Sequence, residues 1–317
     1  MAPFFTIFIR GFMNQVNLSA FFEDEEDEKP GIKFFDMSQI AFASALQEFQ
    51  NVPIKIGMLR HIILNSIRYN LKKFNDKYPI TVLAFDNANN GYWRRDYGYY
   101  YKKTRAAARE DNTSFDWEGY FSAMEIIKAE FKDNMPYYSI DIPRVEADDI
   151  IGVLTLRECL DRKIMIISSD GDYKQLHIHN NVEQWAPQLK KMVKSKEPIP
   201  EFLMTKLLKG DRKDAVAGVK CRSDYWFTRL EGERAPSISS KLIQDCLDDG
   251  PEKHLSEEEL KRFNENKIMI DMTCIPEDIK TKIIDEFDNF KVPGRSKIYP
   301  YFIKSGLVKL TKDINMF

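Results

Sequence analysis

The stretch "KIMIISSDGDYKQL", residues Lys163–Leu176, joins a buried-strand pattern to a charged turn. The apolar run Ile164–Ile167 stops at two serines, and Asp170 and Asp172 follow only two residues apart. A short, continuous apolar run of this kind is typical of a strand that is covered on both faces. Asp and Gly are also ordinary turn and helix-cap residues. The stretch therefore predicts a strand and a turn, and leaves open whether the two repelling carboxylates have a function.

The same unit, an apolar run that ends in a carboxylate, occurs twice more. "IKFFD" ends at Asp36 and "ITVLAFD" ends at Asp86. Helical periodicity separates the runs, over residues 58–74, 117–132 and 146–160. Strands that alternate with helices indicate an α/β fold with a mainly parallel central sheet flanked by helices. In such sheets the functional crevice lies beyond the carboxyl ends of the strands, where these aspartates are expected.

The pattern predicts three regions along the chain. Residues 1–30 form an acidic, irregular leader, and residues 31–186 form the α/β domain. "PQLKKMVKSKEPIP" then predicts a linker or loop that opens a smaller, mostly helical C-terminal domain over residues 187–317. Helices are expected there over residues 201–209, 237–248, 256–266, 275–289 and 297–309.

Composition excludes several classes of protein. With 43% apolar and 30% charged residues among 317, the balance is that of a globular protein, and no apolar run reaches the roughly 18 residues of a membrane span. The apolar start "APFFTIFIR" lacks the features of a signal peptide. The four cysteines are scattered, which argues against a zinc site or a disulfide framework and favours a cytoplasmic location.

Charge is distributed unevenly along the chain. The net charge is only −2, but residues 21–28 hold six acids, while residues 94–109 carry six cations against one acid. A second basic stretch covers residues 190–222. Because local charge rather than net charge attracts phosphate, two basic surfaces for nucleic acid are expected.

Carboxylates outnumber every other candidate functional group. Helix-dipole stabilisation alone explains acids at the start of the helix that begins near Glu146. Several acids that converge on one crevice without His or Cys would nevertheless repel strongly, and hard oxygen ligands suit Mg²⁺ or Mn²⁺. Two such ions assist phosphodiester hydrolysis, so a metal-dependent nuclease is expected. The candidate metal ligands are Asp36, Asp86, Glu146, Asp148, Asp149, Asp170, Asp172, Asp211 and Asp214.

Three motifs carry a resemblance to a known family. "VEADDIIG" (145–152), "SSDGDYKQL" (168–176) and "GDRKDAVAGV" (210–219) occur in the order and spacing of the flap endonuclease and 5′–3′ exonuclease family. The chain resembles the T-even phage members, whose activity is called ribonuclease H, from about residue 17 to the C-terminus. The resemblance implies a PIN-like nuclease fold, and two Mg²⁺ ions held by the candidate acids, with Mn²⁺ as a substitute.

The resemblance also suggests how the acids divide between the ions. Asp36, Asp86, Asp148 and Asp170 would surround the first ion, directly or through water. The second ion would lie toward Asp172 and Asp214, with Asp211 in support.

The segment at about residues 91–115 interleaves aromatic residues with cations, a composition that suits single-stranded nucleic acid. The residues alone equally allow an amphipathic helix with solvated cations. The resemblance implies a helical arch over the active site, in which Lys102 and Arg105 act on the scissile phosphate beside the catalytic Asp170. Further nucleic-acid contacts are expected from Arg94, Arg95, Lys103, Arg109, Lys213, Lys220 and Arg222.

The chain departs from the family at one place. A Gly-x-Gly hairpin is expected soon after Gly218, in a helix–turn–helix-type element that binds duplex phosphates. "KCRSDYWFTRLEGERAPS" (220–237) stands there instead, so the monovalent-ion site of that hairpin is not carried over.

The function expected is that of a monomeric phage 5′-nuclease of DNA replication that acts on DNA and RNA–DNA duplexes with 5′ ends or flaps. It would leave a 5′-phosphate and a 3′-hydroxyl, work in the cytoplasm of the infected bacterium and contact no membrane. The resemblance suggests that the leader binds a sliding clamp, with a disordered leader as the equal alternative. A single-stranded-DNA-binding protein is another expected partner. The alternatives are a PIN-like single-strand ribonuclease and a non-catalytic DNA-structure-binding protein.

Overall fold

The computed structural model describes residues 29–317. The expected clamp site and nearly all of the predicted leader lie outside this range. The first strand already begins at Lys29, inside the predicted leader. Among the described residues, no helix is both long and apolar enough to cross a membrane.

A six-stranded sheet forms the centre of the molecule, with the strands in the order β3-β2-β1-β4-β5-β6. All neighbouring strands pair in parallel except β6, which runs antiparallel to β5. The predicted α/β fold with a mainly parallel sheet is confirmed. The strands are β1 (Lys29–Asp36), β2 (Ile80–Phe85), β3 (Tyr138–Asp141), β4 (Arg162–Ile167), β5 (Val182–Ala186) and β6 (Lys191–Met192).

Helices cover both faces of the sheet and make up most of the C-terminal part. Those of the first part are α1 (Met37–Glu48), α2 (Ile56–Phe74), α3 (Lys103–Asp111), α4 (Trp117–Asn134) and α5 (Ala147–Glu158). Those of the second part are α6 (Ile199–Lys209), α7 (Tyr225–Thr228), α8 (Ser240–Asp249), α9 (Glu257–Ile270), α10 (Glu277–Asn289) and α11 (Ile298–Lys304).

The C-terminal part completes the hydrophobic core on both faces of the sheet. On one face Tyr301 and Phe302 of α11 join the cluster that contains α1, α2 and α4. On the other face Ile279 and Ile283 of α10 pack into the cluster that contains α5. Burial of apolar area at roughly 25 cal/mol per Å² makes these contacts a substantial part of the stability. The division at residue 186 stays a prediction, and these two helices pack as part of the α/β core.

A third cluster joins α6, α8 and α9. Tyr100 and Tyr101 are part of it, and each is only 2% exposed. These two tyrosines precede α3 in the chain, so they fix the base of the arch segment (residues 91–115) to the C-terminal helices.

Strand order places the predicted acids at one edge. β1 lies between β2 and β4, and the chain runs outward from it in both directions, so the carboxyl ends of β1 and β4 flank the topological switch point. In the register Phe35 pairs with Ile167 and Asp36 with Ala84. Asp36, Asp86 and the turn after β4 therefore meet at the same edge.

Candidate active site

Asp36 and Asp86 follow the two neighbouring central strands. Asp36 caps α1 and accepts a hydrogen bond from the Gln39 N–H at 3.0 Å. It also accepts one from the Ser168 hydroxyl at 2.9 Å. Asp86 accepts a hydrogen bond at 2.8 Å from the N–H of Ala147, the first residue of α5. The two acids are thus held by the start of α1, the turn after β4 and the start of α5.

The "SSDGD" turn after β4 is organised by its own side chains. Ser168 Oγ accepts a hydrogen bond from the Asp170 N–H at 3.0 Å, and Asp170 Oδ1 accepts one from the Asp172 N–H at 3.0 Å. Gln184 of β5 donates to the carbonyl oxygens of Ser168 and Asp170. The turn therefore holds Asp170 and Asp172 apart on the crevice side of the sheet edge.

The acids at the start of α5 divide into two groups. Glu146 and Asp149 form a reciprocal capping box, in which the Glu146 N–H donates to Asp149 at 3.0 Å. Asp148, which is offset from them around the helix, accepts a hydrogen bond from the Tyr173 hydroxyl at 2.8 Å. Asp148 therefore lies toward the turn after β4, while its two neighbours lie toward the arch segment.

Asp149 and Arg94 form a buried structural pair. Arg94 Nη2 lies 2.7 Å from Asp149 Oδ1, and Trp93 Nε1 donates to the other oxygen at 2.8 Å. Arg94 also bonds Glu146 at 2.9 Å and the Met269 carbonyl at 3.0 Å, and it is 4% exposed. The burial and pairing of this guanidinium favour a structural role, and the contact of Arg94 with nucleic acid stays a prediction. Asp149 is 0% exposed, so its bonds fit a structural role better than metal ligation.

The arch segment delivers two cations to the acids. Lys102 Nζ bonds Glu146 and lies 3.9 Å from Asp214 Oδ1, and Arg105 pairs with the same Asp214 oxygen. Tyr101 donates to Glu146 at 2.9 Å. Lys102 is 7% exposed, whereas the Arg105 side chain is 48% exposed. Of the two predicted catalytic cations, only Arg105 is substantially open to solvent.

Lys206 of α6 pairs with two of the acids, Asp172 and Asp211. This lysine is not among the residues predicted from the sequence. Its Nζ contacts Asp172 and lies 2.8 Å from Asp211 Oδ2. Asp211 also caps the following 3₁₀ turn by accepting from the Lys213 N–H at 2.8 Å. Asp148, Asp172, Asp211 and Asp214 line one small pocket together with Tyr101. Four acids that are distant in sequence are thus brought to one place.

Burial and neighbouring charges shift the pKa values of these acids. Burial, followed by the charge of Asp86, raises the pKa of Asp36 to about 7. Burial and the charges of Asp170 and Asp36 raise the pKa of Asp148 well above its usual range. Burial also raises the pKa of Asp172, against the effect of Lys206. In Glu146 burial is outweighed by Lys102 and Arg94, and the pKa is lowered. The acids on the crevice side therefore lack enough positive charge around them.

The donor set fits a divalent cation in its chemistry. The anionic groups that line the pocket are carboxylates, and the raised pKa values of Asp148 and Asp172 mark a place where added positive charge is stabilising. Within residues 29–317, no three Asp, Glu, His or Cys side chains already meet in a metal-binding arrangement. The protein's own cations Lys102, Arg105 and Lys206 hold several of these carboxylates instead.

The remaining predicted nucleic-acid residues occupy different surroundings. Lys213, Lys220 and Arg222 are exposed, and Arg222 pairs with Glu233. Lys103 lies over the rings of Tyr99 and Phe227. The partly buried Arg95 and Arg109 lie against the Tyr101 carbonyl and the ring of Phe121, respectively. Their roles at nucleic acid stay predictions.

Comparison with known proteins identifies the family. A family model described as the 5′–3′ exonuclease N-terminal resolvase-like domain matches residues 40–202, and one described as the C-terminal part of T4 RNase H matches residues 200–317. Ribonuclease H of Enterobacteria phage T4 is 49% identical over 299 residues, which cover 92% of this chain and 98% of that protein. The chain belongs to the 5′–3′ exonuclease and flap endonuclease family. It is a 5′–3′ nuclease of the phage ribonuclease H type, and thus a phosphodiester hydrolase.

Solved structures of bacteriophage T5 share the fold. The T5 D15 protein co-crystallised with metal ions has a TM-score of 0.54 at 16% identity, covering 81% of this chain and 98% of that one. The T5 D15 flap endonuclease in a complex with DNA and metal ions has a TM-score of 0.57 at 16% identity, with the same coverage. At this identity the likeness extends to the fold alone.

Proposed function

We propose that this nuclease removes RNA primers and the adjacent DNA from the 5′ side, and that it cuts 5′ flaps during phage DNA replication. The observation that carries the proposal is the pocket lined by Asp148, Asp172, Asp211 and Asp214, with the arch cation Arg105 paired to its edge. A catalytic crevice needs acids that gather cations and basic groups that hold phosphate. Both groups are present on this one edge of the sheet.

Two divalent ions, Mg²⁺ with Mn²⁺ as a substitute, are the proposed cofactors. When bound, such ions make water a better nucleophile and stabilise the leaving oxygen of a phosphodiester. Asp36, Asp86, Asp148 and Asp170 would hold the first. Asp172 and Asp214, supported by Asp211, would hold the second. Solved structures that share this fold and contain metal ions support a divalent-metal cofactor.

The chain's own cations have a proposed role at the phosphate. Arg105 is exposed and ends at Asp214, so it can exchange that carboxylate for a phosphate oxygen at little desolvation cost. Lys102 is buried against Glu146, and its ammonium group also lies 3.9 Å from Asp214, the acid that Arg105 contacts. Charge placed beforehand at the reacting phosphate stabilises the transition state without reorganisation. The Ser168 hydroxyl holds the backbone N–H of Asp170, and the Asp170 carboxylate accepts from the Asp172 N–H, so the turn is fixed where this acid would serve the metal.

The proposed substrates are DNA and RNA–DNA duplexes that carry a 5′ end or a 5′ flap. The name of the phage T4 relative and the DNA complex of the T5 flap endonuclease support this choice. A sliding clamp and a single-stranded-DNA-binding protein remain proposed partners. The protein is also proposed to be a monomer and to act in the cytoplasm of the infected bacterium.

The proposal is tested with a panel of 5′-labelled substrates in the presence and absence of Mg²⁺. The panel contains a 5′-flap DNA, a nicked RNA–DNA hybrid and a single-stranded RNA of the same sequence. Mg²⁺-dependent cutting of the first two in preference to the third is expected. Preference for free RNA would contradict the proposal in favour of a single-strand ribonuclease, and flap binding without cleavage would contradict it in favour of a non-catalytic protein.

A further inference from the structure

Two exposed aromatic side chains meet beside the arch segment. Tyr99 is 50% exposed and Phe227 of α7 is 48% exposed among the described residues. Their ring centroids lie 6.5 Å apart at an interplanar angle of 86°. In this edge-to-face arrangement the edge of one ring meets one face of the other, and about half of each side chain stays open to a ligand. We refer to Tyr99 and Phe227 as the aromatic platform.

Polar contacts fix the platform in place. The Tyr99 hydroxyl donates to Asp224 Oδ2 at 2.5 Å, which joins the arch segment to the residue that precedes α7. Lys103 Nζ lies 4.7 Å from the centroid of Tyr99 and 5.3 Å from that of Phe227. Lys103 also follows Lys102 directly in the chain. The platform is therefore held by two separate segments and carries a cation of its own.

Further cations surround the same segment. Trp226, the neighbour of Phe227, has Arg212 at 5.3 Å and Arg229 at 5.4 Å from its ring centroid. The Trp226 indole N–H donates to the Val216 carbonyl at 3.1 Å, which ties it to the loop after α6. Arg212 and Arg229 are both exposed. Positive charge thus adjoins the platform on the side of α7.

The platform is connected to the acids through short paths. The Lys102 N–H donates to the Asp214 carbonyl at 2.9 Å, and Arg105 Nε donates to the Lys213 carbonyl at 3.2 Å. Tyr99 lies three residues before Lys102 in the chain. Tyr99 of the platform therefore belongs to the same short stretch of the arch segment that contacts Asp214.

We propose that the aromatic platform stacks on unpaired bases of the 5′ strand that the enzyme cuts, while Lys103 contacts the adjoining phosphate. This inference rests on the proposed function and names residues that select its single-stranded part. Aromatic faces interleaved with cations bind single strands without reading sequence, because every base has a flat face to stack. Paired bases are already stacked inside a duplex, so they offer no free face. The surrounding cations favour a phosphate-bearing ligand over a basic or apolar protein surface.

The "KCRSDYWFTRLEGERAPS" segment thereby gains a role. It stands where a Gly-x-Gly hairpin was expected, and it contributes Phe227, Trp226 and Arg229. The segment places aromatic and basic side chains against the arch instead of a hairpin.

The test measures the binding of three DNA substrates in Ca²⁺, a hard cation chosen as a non-productive substitute for Mg²⁺. The substrates are a 5′ flap with normal bases, the same flap with abasic sugars, and a nicked duplex without a flap. Phe227→Ala is expected to weaken binding of the normal flap by about 5- to 100-fold, the loss of one stacked base. Binding of the other two substrates is expected to change less than about twofold, because neither offers a base to stack.

Two further variants complete the test. Phe227→Trp keeps a stacking face and is expected to bind the normal flap as the wild type does. Tyr69→Ala removes a similarly exposed aromatic ring, 51% exposed on α2, and is expected to leave all three affinities unchanged. Melting temperatures of the variants verify that each is folded.

The outcomes separate the platform from the proposed function. An equal loss on all three substrates, or no loss on any of them, would overturn the platform while flap cutting by the wild type still stands. A wild-type protein that neither binds nor cuts flaps would overturn the proposed function itself. A Phe227→Trp variant as weak as Phe227→Ala on the normal flap would also contradict stacking.

Discussion

Lys206 Nζ lies 2.8 Å from Asp211 Oδ2, at the point where the crevice needs positive charge. The same ammonium group contacts Asp172, and both acids line the pocket proposed for the second metal ion. Coulombic attraction to these two acids, acting against burial, raises the pKa of Lys206 above its ordinary value, so it is charged at neutral pH. The protein thus partly neutralises its own site, and added metal competes with this lysine for the same oxygens.

Lys206→Met tests this competition. Without metal the variant is expected to lose about 1–3 kcal/mol of stability, because two partly buried acids lose their partner. It is expected to gain more from Mg²⁺ than the wild type does, since no ammonium group competes. Thermal melts over a Mg²⁺ titration measure both effects. Lys209→Met, an exposed lysine on the same helix, is the matched control. Identical Mg²⁺ responses of Lys206→Met and wild type would contradict the competition.

Arg105→Ala separates chemistry from stability. The side chain is 48% exposed and its surface pair with Asp214 contributes little to folding, so stability is expected to change by less than about 1 kcal/mol. The single-turnover cleavage rate is expected to fall about 10- to 1,000-fold, because a cation at the phosphate is lost. Arg295→Ala, which removes an exposed cation bonded to the Asn315 carbonyl, serves as the control with a near-normal rate. A normal rate for Arg105→Ala would contradict its catalytic assignment.

Arg94→Met is expected to impair folding rather than DNA binding. It removes the partner of two buried acids, Glu146 and Asp149, and such a loss costs about 3–5 kcal/mol. Urea unfolding of Arg94→Met and of Arg95→Met, a partly buried neighbour, gives the comparison. If the Arg94 variant were as stable as the wild type yet weak in DNA binding, the structural role would be wrong.

Lys33 predicts a pH dependence of stability. Its ammonium is buried in β1 against Asn75 and the Tyr78 carbonyl, and burial lowers its pKa to about 7. In the unfolded chain a lysine titrates near 10.4. Between pH 7 and 10 the unfolded state binds more protons, so stability rises with pH through this window.

The difference between wild type and Lys33→Met isolates this effect. From pH 7 to pH 9 the wild type is expected to gain about 1–3 kcal/mol relative to the variant. The hydrogen bonds that Met lacks shift the curves by a constant and leave the slope unchanged. Urea unfolding at the two pH values measures the slope. Parallel curves would show that Lys33 does not change protonation on folding.

The sequence predicted the fold where its periodicity was strong. The run Ile164–Ile167 is buried on both faces in β4, as its continuous apolar character required. β3 was missed because Tyr138–Asp141 is only four residues long and half polar. β5 was missed because Glu183 and Gln184 interrupt its apolar pattern, although its backbone completes the sheet. Short and polar strands form because they pair with neighbouring strands in the sheet, and this pairing is not visible in the local sequence pattern.

The sequence predicts which acids belong to the candidate site, but not which side chains pair with them. The ordered motifs identified the strand-end acids, but they did not show which acids of "EADD" face the crevice. Successive helical positions point in different directions. Asp149 pairs with Arg94, whereas Asp148 accepts a hydrogen bond from Tyr173. Lys206 was missed because it lies outside the ordered motifs, and one of its two acidic partners, Asp172, is distant in the chain. Such pairs are set by tertiary packing.

The most direct test of the account is the cleavage of a 5′-labelled flap substrate by Asp170→Asn beside the wild type. Rates are measured with saturating Mg²⁺, and affinity for the same substrate is measured in Ca²⁺. The account predicts Mg²⁺-dependent cutting by the wild type, at least about a 1,000-fold lower rate for the variant, and affinities within about threefold of each other. An Asp170→Asn variant that cuts at the wild-type rate would contradict a carboxylate-centred metal mechanism.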